Sequence, residues 1–380
     1  MRSLKNKVRE EKMKTKGVAI LGRALGIALA FFLLISGLHA QQVIENSDKP
    51  LSKNAGRMLP LQFVFRITDQ SGKFYFKGIY SLKIAEDGTI FIYDKDQLLR
   101  FSAEGKFIKN LLKKGQGPGE ISTANYLGDI KFSVGKKDLY VYDNWARKIV
   151  HFDWDGTLIE DFKLKRAFTD FLGRMDDQLV FIEQESIGPG MAQTSGFRDL
   201  KFTLFLTSLA GISEKEILFF PNQLYQQPRL IMSWAPFETV LDPKTGRLYV
   251  IHTSEYKIVQ VDLREGRVAR IFNRKYPRVD YAVREYEKDM IKKYDAPVKK
   301  YEYDIQAFFL NKENIWVITS TKDQKKGNLI DVFDAQGKYI DNFYISIPGV
   351  IAAVQDDCIY STEQDKDGNM QVVKYKIAEK

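Results

Sequence analysis

Short segments in which apolar and polar residues alternate recur along the chain from residue 60 onward, and turns rich in Gly, Asp and Asn separate them. One recurring unit is an acidic or glycine-containing turn followed by a β-rich run, as in EDGTIFIYD at residues 86–94 and GKKDLYVYD at residues 135–143. The unit occurs six times, and the other copies span residues 175–183, 244–252, 311–319 and 354–362. Period-two alternation bounded by turns predicts β-strands, so the pattern indicates an all-β protein built from repeats.

A second recurring unit is a strand, a tight turn that ends in glycine, and another strand. It occurs five times, around Gly105, Gly156, Gly211, Gly266 and Gly337. Six copies of the first unit and five of the second fit six four-stranded antiparallel blades, with the chain ending after the third strand of the sixth blade. The run LQFVFRIT at residues 61–68 alternates as the missing strand should, and adding it would remove an open sheet edge. The sequence therefore predicts a six-bladed β-propeller over residues 60–380, closed by its N-terminal strand.

The longest insertion between repeats, residues 276–300, has a different periodicity. Its apolar residues fall near helical spacing at Val283, Tyr286, Met290 and Ile291. This spacing predicts one short amphipathic helix packed on the outside of the ring.

The first forty residues differ from the rest of the chain. Residues 1–40 contain eight basic and two acidic residues and run apolar from residue 24 to residue 38. That run is short for a membrane-spanning helix, which needs about 20 residues. A signal peptide cleaved after Ala40 is therefore expected, and the alternative is an uncleaved anchor formed by residues 17–40.

The signal peptide predicts an extracytoplasmic protein, either periplasmic or secreted, whose contact with the membrane is through this leader alone. Met13 is an alternative translation start, and its choice does not affect the mature chain. Residues 41–59 are polar without clear periodicity, so a flexible lead-in is expected between the leader and the propeller.

Charge excludes one class of partner. The formal net charge is +9, but removing the leader leaves 50 basic and 47 acidic residues, which is nearly balanced. No block of Lys and Arg with interleaved aromatics occurs in the mature part, so the electrostatic footprint of a nucleic-acid-binding protein is missing.

Few residues are suited to metal binding or catalysis. Cys358 is the only cysteine, which excludes an internal disulfide and a cysteine-rich zinc site. His151 and His252 are the histidines of the mature chain, and both are expected to be structural. No catalytic set and no cofactor are predicted, although a carboxylate calcium site stays open.

One repeat carries a family resemblance. The segment LYVYDNWARKIVHFDWDG at residues 139–156 resembles an NHL repeat. The upstream segment LLKKGQGPGEISTANYLGDI at residues 111–130 is similar to a loop of the bacterial six-bladed β-propeller family related to NHL-repeat proteins. The resemblance implies the same fold, and the long insertion at residues 181–206 in the third blade departs from the NHL pattern.

Three loops are expected to meet on one face of the propeller. If the strands of a blade are labelled A to D outward from the channel, the D-to-A connections and the B-to-C hairpins open on the same face. Residues 113–124 form a D-to-A connection, and residues 143–147 and 186–196 are B-to-C loops. The candidate ligand-binding residues lie on this rim: Gln116, Glu120, Asp143, Trp145, Arg147, Tyr225, Arg229 and Trp234.

The candidates in the GQGPGE loop and at the strand ends each have two interpretations. Gln116 and Glu120 lie in the loop GQGPGE, which could present its amides and side chains to a ligand. The alternative is a backbone device, in which glycines supply positive φ and proline stiffens the turn. Asp94 and Asp143 end equivalent strands, where carboxylates could bind a cation or accept hydrogen bonds from their own turns.

The aromatic and guanidinium candidates suit stacking on a sugar or clamping a peptide. They are Trp145, Arg147, Tyr225, Arg229 and Trp234, and the alternative for them is packing between neighbouring blades.

These features predict a non-enzymatic binding module that holds a peptide, glycan or protein partner on the loop-rich face. The alternative is a cation-dependent propeller enzyme of the lyase or lactonase type, with a channel cation held by carboxylates such as Asp129 or Asp143. The fold alone does not decide between the two functions.

Overall fold

The computed structural model describes residues 42–122, 130–185, 195–209, 214–228 and 230–378. The predicted leader at residues 1–40 lies outside these ranges, as do Asp129 and Arg229. No helix within the described ranges has the length and apolar character needed to cross a bilayer.

Six sheets follow one another along the described chain, and each forms one blade. Blade one contains β4 (Ile79–Ile84), β5 (Ile90–Asp94), β6 (Gln97–Phe101) and β7 (Phe107–Asn110). Blade two contains β8 (Ile130–Val134), β9 (Asp138–Asp143), β10 (Lys148–Asp153) and β11 (Leu158–Lys163). Blade three contains β12 (Asp170–Met175), β13 (Gln178–Gln184), β14 (Gly196–Ser208), β15 (Glu214–Gln227) and β16 (Leu230–Ala235).

The other three blades include strands from the N-terminal part of the chain. Blade four contains β17 (Phe237–Asp242), β18 (Arg247–His252), β19 (Lys257–Asp262), β20 (Arg267–Arg274) and β1 (Gln42–Asn46). Blade five contains β21 (Ile305–Asn311), β22 (Asn314–Asp323), β23 (Gly327–Phe333), β24 (Tyr339–Ile345) and β2 (Arg57–Met58). Blade six contains β25 (Val350–Gln355), β26 (Cys358–Gln364), β27 (Met370–Ile377) and β3 (Leu61–Ile67).

The blades pack face to face around a ring. The second strand of a blade has its two faces against neighbouring blades, so β5 and nearly all of β9 are buried continuously instead of alternately. The first strand of each blade is innermost, and these strands contact one another in order from β8 to β25 and on to β4. Blades one and two are joined by apolar packing that includes Phe91 and Phe132. The predicted six-bladed all-β fold is confirmed.

The ring is closed by the strand that the sequence predicted. β3 pairs antiparallel with β27, with Ile67 opposite Val372 and Gln62 opposite Lys376. Its Phe65 also packs on the turn of blade one, 2.6 Å from where a Cβ on Gly105 would lie, and Gly105 has a φ of +76°. Glycine is required there both by the close approach of the ring and by the left-handed backbone.

Residues 42–59, expected to be a flexible lead-in, are instead paired with blades four and five. β1 adds a fifth strand outside β20, and β2 runs parallel to β24. Between them, the amides of Leu51 and Ser52 donate to the carbonyls of Tyr339 and Ile340, at 3.2 and 2.9 Å. We call residues 42–59 the belt segment, since it passes along the outer edges of two consecutive blades.

Side chains fasten the belt segment at both ends. The Asn46 amide donates to the Asn273 carbonyl of blade four at 2.8 Å and to the Gly337 carbonyl of blade five at 2.9 Å. The Arg57 guanidinium makes a bidentate pair with Asp341, at 3.0 and 2.7 Å. The first contact ties two blades to each other through the belt segment.

A buried ion pair lies between blades four and five. Arg274 Nε donates to Asp331 Oδ2 at 2.7 Å, and the two side chains are 3 % and 0 % exposed. Asp331 also accepts from the hydroxyls of Tyr256 and Tyr339, and the Arg274 guanidinium lies over both rings at 5.0 and 5.1 Å. Burial and the Asp331 charge raise the pKa of Tyr256 and Tyr339, so both phenols remain protonated donors.

The insertion between blades four and five contains the predicted helix, α1 (Glu285–Tyr294). Glu287 accepts from the Arg284 backbone amide at 2.8 Å at its N-terminus, and Asp295 ends it in the left-handed conformation. The helix buries no residue completely, and Tyr286 is 74 % exposed. The helix was expected on the outside of the ring. Glu287 instead lines a cavity together with Gln306 of the innermost strand β21, which places the helix at the rim.

We expect β3 to decide whether the ring folds cooperatively. A chain that begins at residue 69 lacks β3 and leaves β27 as an unpaired edge, and it also loses buried Ile67. Its unfolding free energy should fall by more than about 5 kcal/mol, because buried Ile67, the partly buried Leu61 and Phe65 and the pairing with β27 are all removed. Its single calorimetric transition should also be lost. The control chain begins at residue 60, lacks only the belt segment and should keep one transition at a lower Tm. Equal melting of the two chains would contradict the closure.

Breaking the buried pair should cost far more than breaking an exposed one. Arg274→Met leaves Asp331 charged and buried, which should lower the unfolding free energy by about 3–5 kcal/mol. Lys244→Met is the control, because Lys244 pairs with Glu86 at 2.5 Å on the surface and should contribute at most about 1 kcal/mol. Denaturant unfolding measures both, and similar losses for the two variants would mean that the pair is not desolvated as described.

Candidate functional site

The GQGPGE loop is hydrogen-bonded within itself and to blade two. The Glu120 carboxylate accepts from the Gly117 amide at 2.9 Å. Lys148, buried in β10, donates to the carbonyls of Gly117 and Glu120 at 3.1 and 2.7 Å. The geometry favours the backbone-device interpretation for Glu120, and Gln116 is the candidate of this loop that faces solvent.

Asp143 is fully buried and bonded at both oxygens. Oδ2 accepts from the Ser122 amide at 2.7 Å, and Oδ1 accepts from the Ala146 amide at 2.9 Å. Asp94 of blade one likewise accepts from the amides of Lys77 and Gly78. Burial raises the pKa of the Asp94 carboxyl, although these hydrogen bonds act in the opposite direction. Both aspartates thus hold an incoming connection on the end of a strand and are not aimed at a ligand.

Trp145 and Arg147 lie in the hairpin between β9 and β10. Trp145 is 64 % exposed, so it does not pack between blades. Arg147 is exposed and has a φ of 51°, and its backbone carbonyl accepts from the Leu164 amide at 2.7 Å. The two side chains are available to solvent at this part of the rim.

The long hairpin of blade three projects past its neighbour strand. Residues 196–201 of β14 pair with 221–226 of β15, beyond the part of β14 that pairs with β13, and β16 adds a third strand. We call residues 196–201, 221–227 and 230–235 the blade-three extension. It explains the insertion that departs from the NHL pattern, because the extra residues lengthen two strands.

The blade-three extension brings two candidates together with an aromatic residue that the sequence did not single out. The Phe197 ring lies 5.2 Å from Tyr225 and 4.8 Å from Trp234, and both pairs are T-shaped. Phe197 is directly opposite Tyr225 in the ladder and is 50 % exposed. These three residues form the rim aromatic cluster.

The connection from blade four to blade five reaches the same place. Lys299 Nζ and the Tyr303 hydroxyl both donate to the Ser233 carbonyl of β16, at 3.3 and 3.0 Å. Lys299 Nζ lies 5.6 Å from the Trp234 ring centroid and 3.8 Å from that of Tyr303. Burial lowers the pKa of Lys299 to about 8, although the nearby Glu302 and Glu287 charges act in the opposite direction.

A cavity of about 310 Å³ opens between this connection, α1 and β16, and we call it the rim pocket. Arg284 is balanced inside it by two carboxylates, Glu287 at 3.3 Å and Glu302 at 3.7 Å. The Tyr281 hydroxyl donates to Glu287 at 2.6 Å, and burial raises the pKa of Tyr281. The lining residues are Met232, Tyr281, Arg284, Glu287, Ile291, Pro297, Val298, Lys299, Glu302, Tyr303 and Gln306.

Lys299 and Tyr303 were not predicted from the sequence, because Lys299 lies in the insertion interpreted only as a helix and Tyr303 lies just after it. A signal was present in the run PVKKYEY at residues 297–303, which places two lysines next to two tyrosines. The proximity of this run to blade three could not be seen from local pattern.

Charged side chains also lie along the innermost strands of blades one to four. Lys131 Nζ is 3.6 Å from Asp170 Oδ1. Loss of hydration lowers the pKa of Lys83 and raises the pKa of Glu238, although part of the Glu238 side chain is exposed to solvent. No three His, Cys, Asp or Glu side chains converge as a metal site among the residues described. Asp170 and Glu238 thus lie near the ammonium group of Lys131.

The histidines and the cysteine have structural surroundings. His151 Nε2 is 2.8 Å from Asp138 Oδ2, and its ring stacks on Tyr140 at 4.0 Å. Burial lowers the pKa of His252 and raises the pKa of the Cys358 thiol.

Comparison with known proteins agrees with this architecture. Residues 39–192 match the family DUF5128, described as a 6-bladed β-propeller. The structure is similar to that of a Bacteroides fragilis protein that is described as an exported protein. The TM-score is 0.52 and the identity 12 %, with coverage of 89 % of this chain and 100 % of that one. A member of the DUF4221 family from Bacteroides vulgatus gives a TM-score of 0.52 and 13 % identity over 85 % of this chain and 99 % of its own.

No curated protein matches the sequence. At such low identities, the two structures establish the fold and not the activity. Together with the six sheets and the family match over residues 39–192, they identify the chain as a six-bladed β-propeller.

Proposed function

We propose that this propeller is a non-catalytic binding module that acts outside the cytoplasm and holds a peptide, glycan or protein ligand at its rim. The observation that carries the proposal is the rim aromatic cluster next to the rim pocket, with Lys299 between them. Exposed aromatic rings and a cation at the mouth of a concave site are the groups that anchor ligands in proteins.

The exposure and support of these rings favour a binding role over a packing role. Phe197 is 50 % exposed in the isolated chain, so half of its surface is available to a ligand. Its neighbours are carried by paired strands, which hold side chains more precisely than loops do.

The enzymatic alternative loses one of its two named carboxylates. Asp143 is fully buried and each of its oxygens already accepts a backbone amide, so its charge is already stabilised by its own connections without a channel cation. Asp129 lies outside the described residues, and the geometry gives no specific support to a lyase or lactonase.

Removing the rim aromatic cluster should weaken binding without unfolding the protein. For Trp234→Ala combined with Phe197→Ala, we expect at least about thirtyfold loss, equal to about 2 kcal/mol, toward the class of ligand that the wild type binds on arrays of oligosaccharides and peptides. Phe219→Ala is the matched control, because Phe219 is 59 % exposed on β15, the strand that carries Tyr225, but lies outside the cluster. Unchanged binding by the double variant, or an equal loss in the control, would refute this site.

The leader should be removed on export. N-terminal sequencing of protein from the extracytoplasmic fraction of the producing cell should begin at Gln41, because the apolar run of residues 24–38 is too short for a stable anchor. Recovery of an intact leader in the membrane pellet would instead establish residues 17–40 as an anchor.

A further inference from the structure

We propose that the rim pocket binds the carboxylate of a sugar acid, namely a uronic acid residue that is free or at the end of an oligosaccharide. The inference rests on the proposed function and adds the chemical class of the ligand. Three properties of the rim pocket lead to it: the unbalanced charge of Lys299, the partial burial of that charge, and the mixture of acceptors and aromatic surface around it.

Lys299 is the cation of the rim pocket that lacks a carboxylate partner. Arg284 is flanked by Glu287 and Glu302, whereas no carboxylate of the described residues lies within 4.0 Å of Lys299 Nζ. An ammonium group has three donors. Two of them are directed at the Ser233 carbonyl and the Tyr303 hydroxyl, and the third remains for a ligand.

The surroundings make a ligand carboxylate favourable at this position. Lys299 is half-buried between the rings of Trp234 and Tyr303, so its charge has lost part of its hydration without gaining a counterion. The low pKa of Lys299 reflects the same cost, with burial as its main cause. A carboxylate that arrives there restores a charge-assisted hydrogen bond, which is stronger than one between neutral groups.

The rest of the rim pocket suits a hydroxyl-rich body with one negative charge. Glu302 lies 3.7 Å from Arg284, outside hydrogen-bonding distance, so its oxygens can accept from ligand hydroxyls. Gln306 is exposed at the pocket and adds an amide. Glu287 and Glu302 would repel a second negative charge inside the rim pocket, which disfavours a phosphate dianion there. The Trp234 ring offers an apolar surface to the C–H face of a sugar.

The volume is consistent with a terminal sugar and not with a large ligand. At about 310 Å³ the rim pocket is at the small end of the range for small-molecule sites. The exposed Phe197 next to Trp234 continues the surface outward, where further sugar units of an oligosaccharide would lie.

The test compares trigalacturonate with neutral galactotriose by calorimetry on the mature protein. Trigalacturonate should bind at least tenfold more tightly at about pH 7, because the carboxylate adds a charge-assisted contact. Lys299→Met should remove that preference, and Lys299→Arg, the matched control, should keep it within about threefold. Thermal melting of both variants confirms that they fold.

Raising the pH provides a second readout. Lys299 must be charged to bind a carboxylate, so the affinity of the wild type should fall as the pH rises from about 7 to about 9.5, through the pKa of this residue. The Lys299→Arg variant should show no such fall, because arginine stays charged. A pH dependence that is the same in both proteins would place the titrating group elsewhere.

The outcomes separate this inference from the proposed function. Equal binding of the charged and neutral trisaccharides, lost in the Trp234→Ala and Phe197→Ala double variant, would keep the binding site and overturn the sugar-acid ligand. Tighter binding of a peptide with a free C-terminal carboxylate than of trigalacturonate would also overturn it. If no sugar and no peptide binds the wild type, both proposals fail.

Discussion

The pairing of β3 with β27 is the constraint on which the whole structure depends. A blade of this ring is stable because its two faces are covered by neighbours, and every blade has two neighbours only when the ring is closed. Phe65 extends the closure into blade one, where it lies on the Gly105 turn. The rim exists at a fixed geometry only within this closed ring, since its parts come from blade three and from the connection between blades four and five.

Local pattern was sufficient for the architecture. Turns such as that at Gly105 recur because each blade needs the same tight turn between two strands. Period-two alternation indicates strands wherever the two faces of a sheet have different surroundings. The belt segment escaped prediction for a physical reason. Leu51 and Ser52 are held through their backbone amides to blade five, and hydrogen bonds of that kind leave no mark on the order of apolar and polar side chains.

Residue type alone located only some members of the candidate site, and the gaps have one cause. Trp234 and Tyr225 were named from residue type, and the structure brings them together, but their partners Phe197 and Lys299 come from sequence positions far apart. Glu120 and Asp143 have the residue types of a ligand site, yet their carboxylates are occupied by neighbouring backbone amides. Which lone pairs are already used depends on loop conformation, and composition does not reveal it.

The belt segment has a consequence for biosynthesis. Asn46 bonds to Gly337, 291 residues later, so an early part of the chain waits for a late part. At about 5–20 residues per second, the ribosome needs roughly 15–60 s to make that partner. During this interval β3 has no sheet to join, because its partner β27 is made later still, and the apolar Phe63 and Val64 lie on an unpaired strand. A nascent chain of this protein therefore stays open to chaperones until blade six has been made.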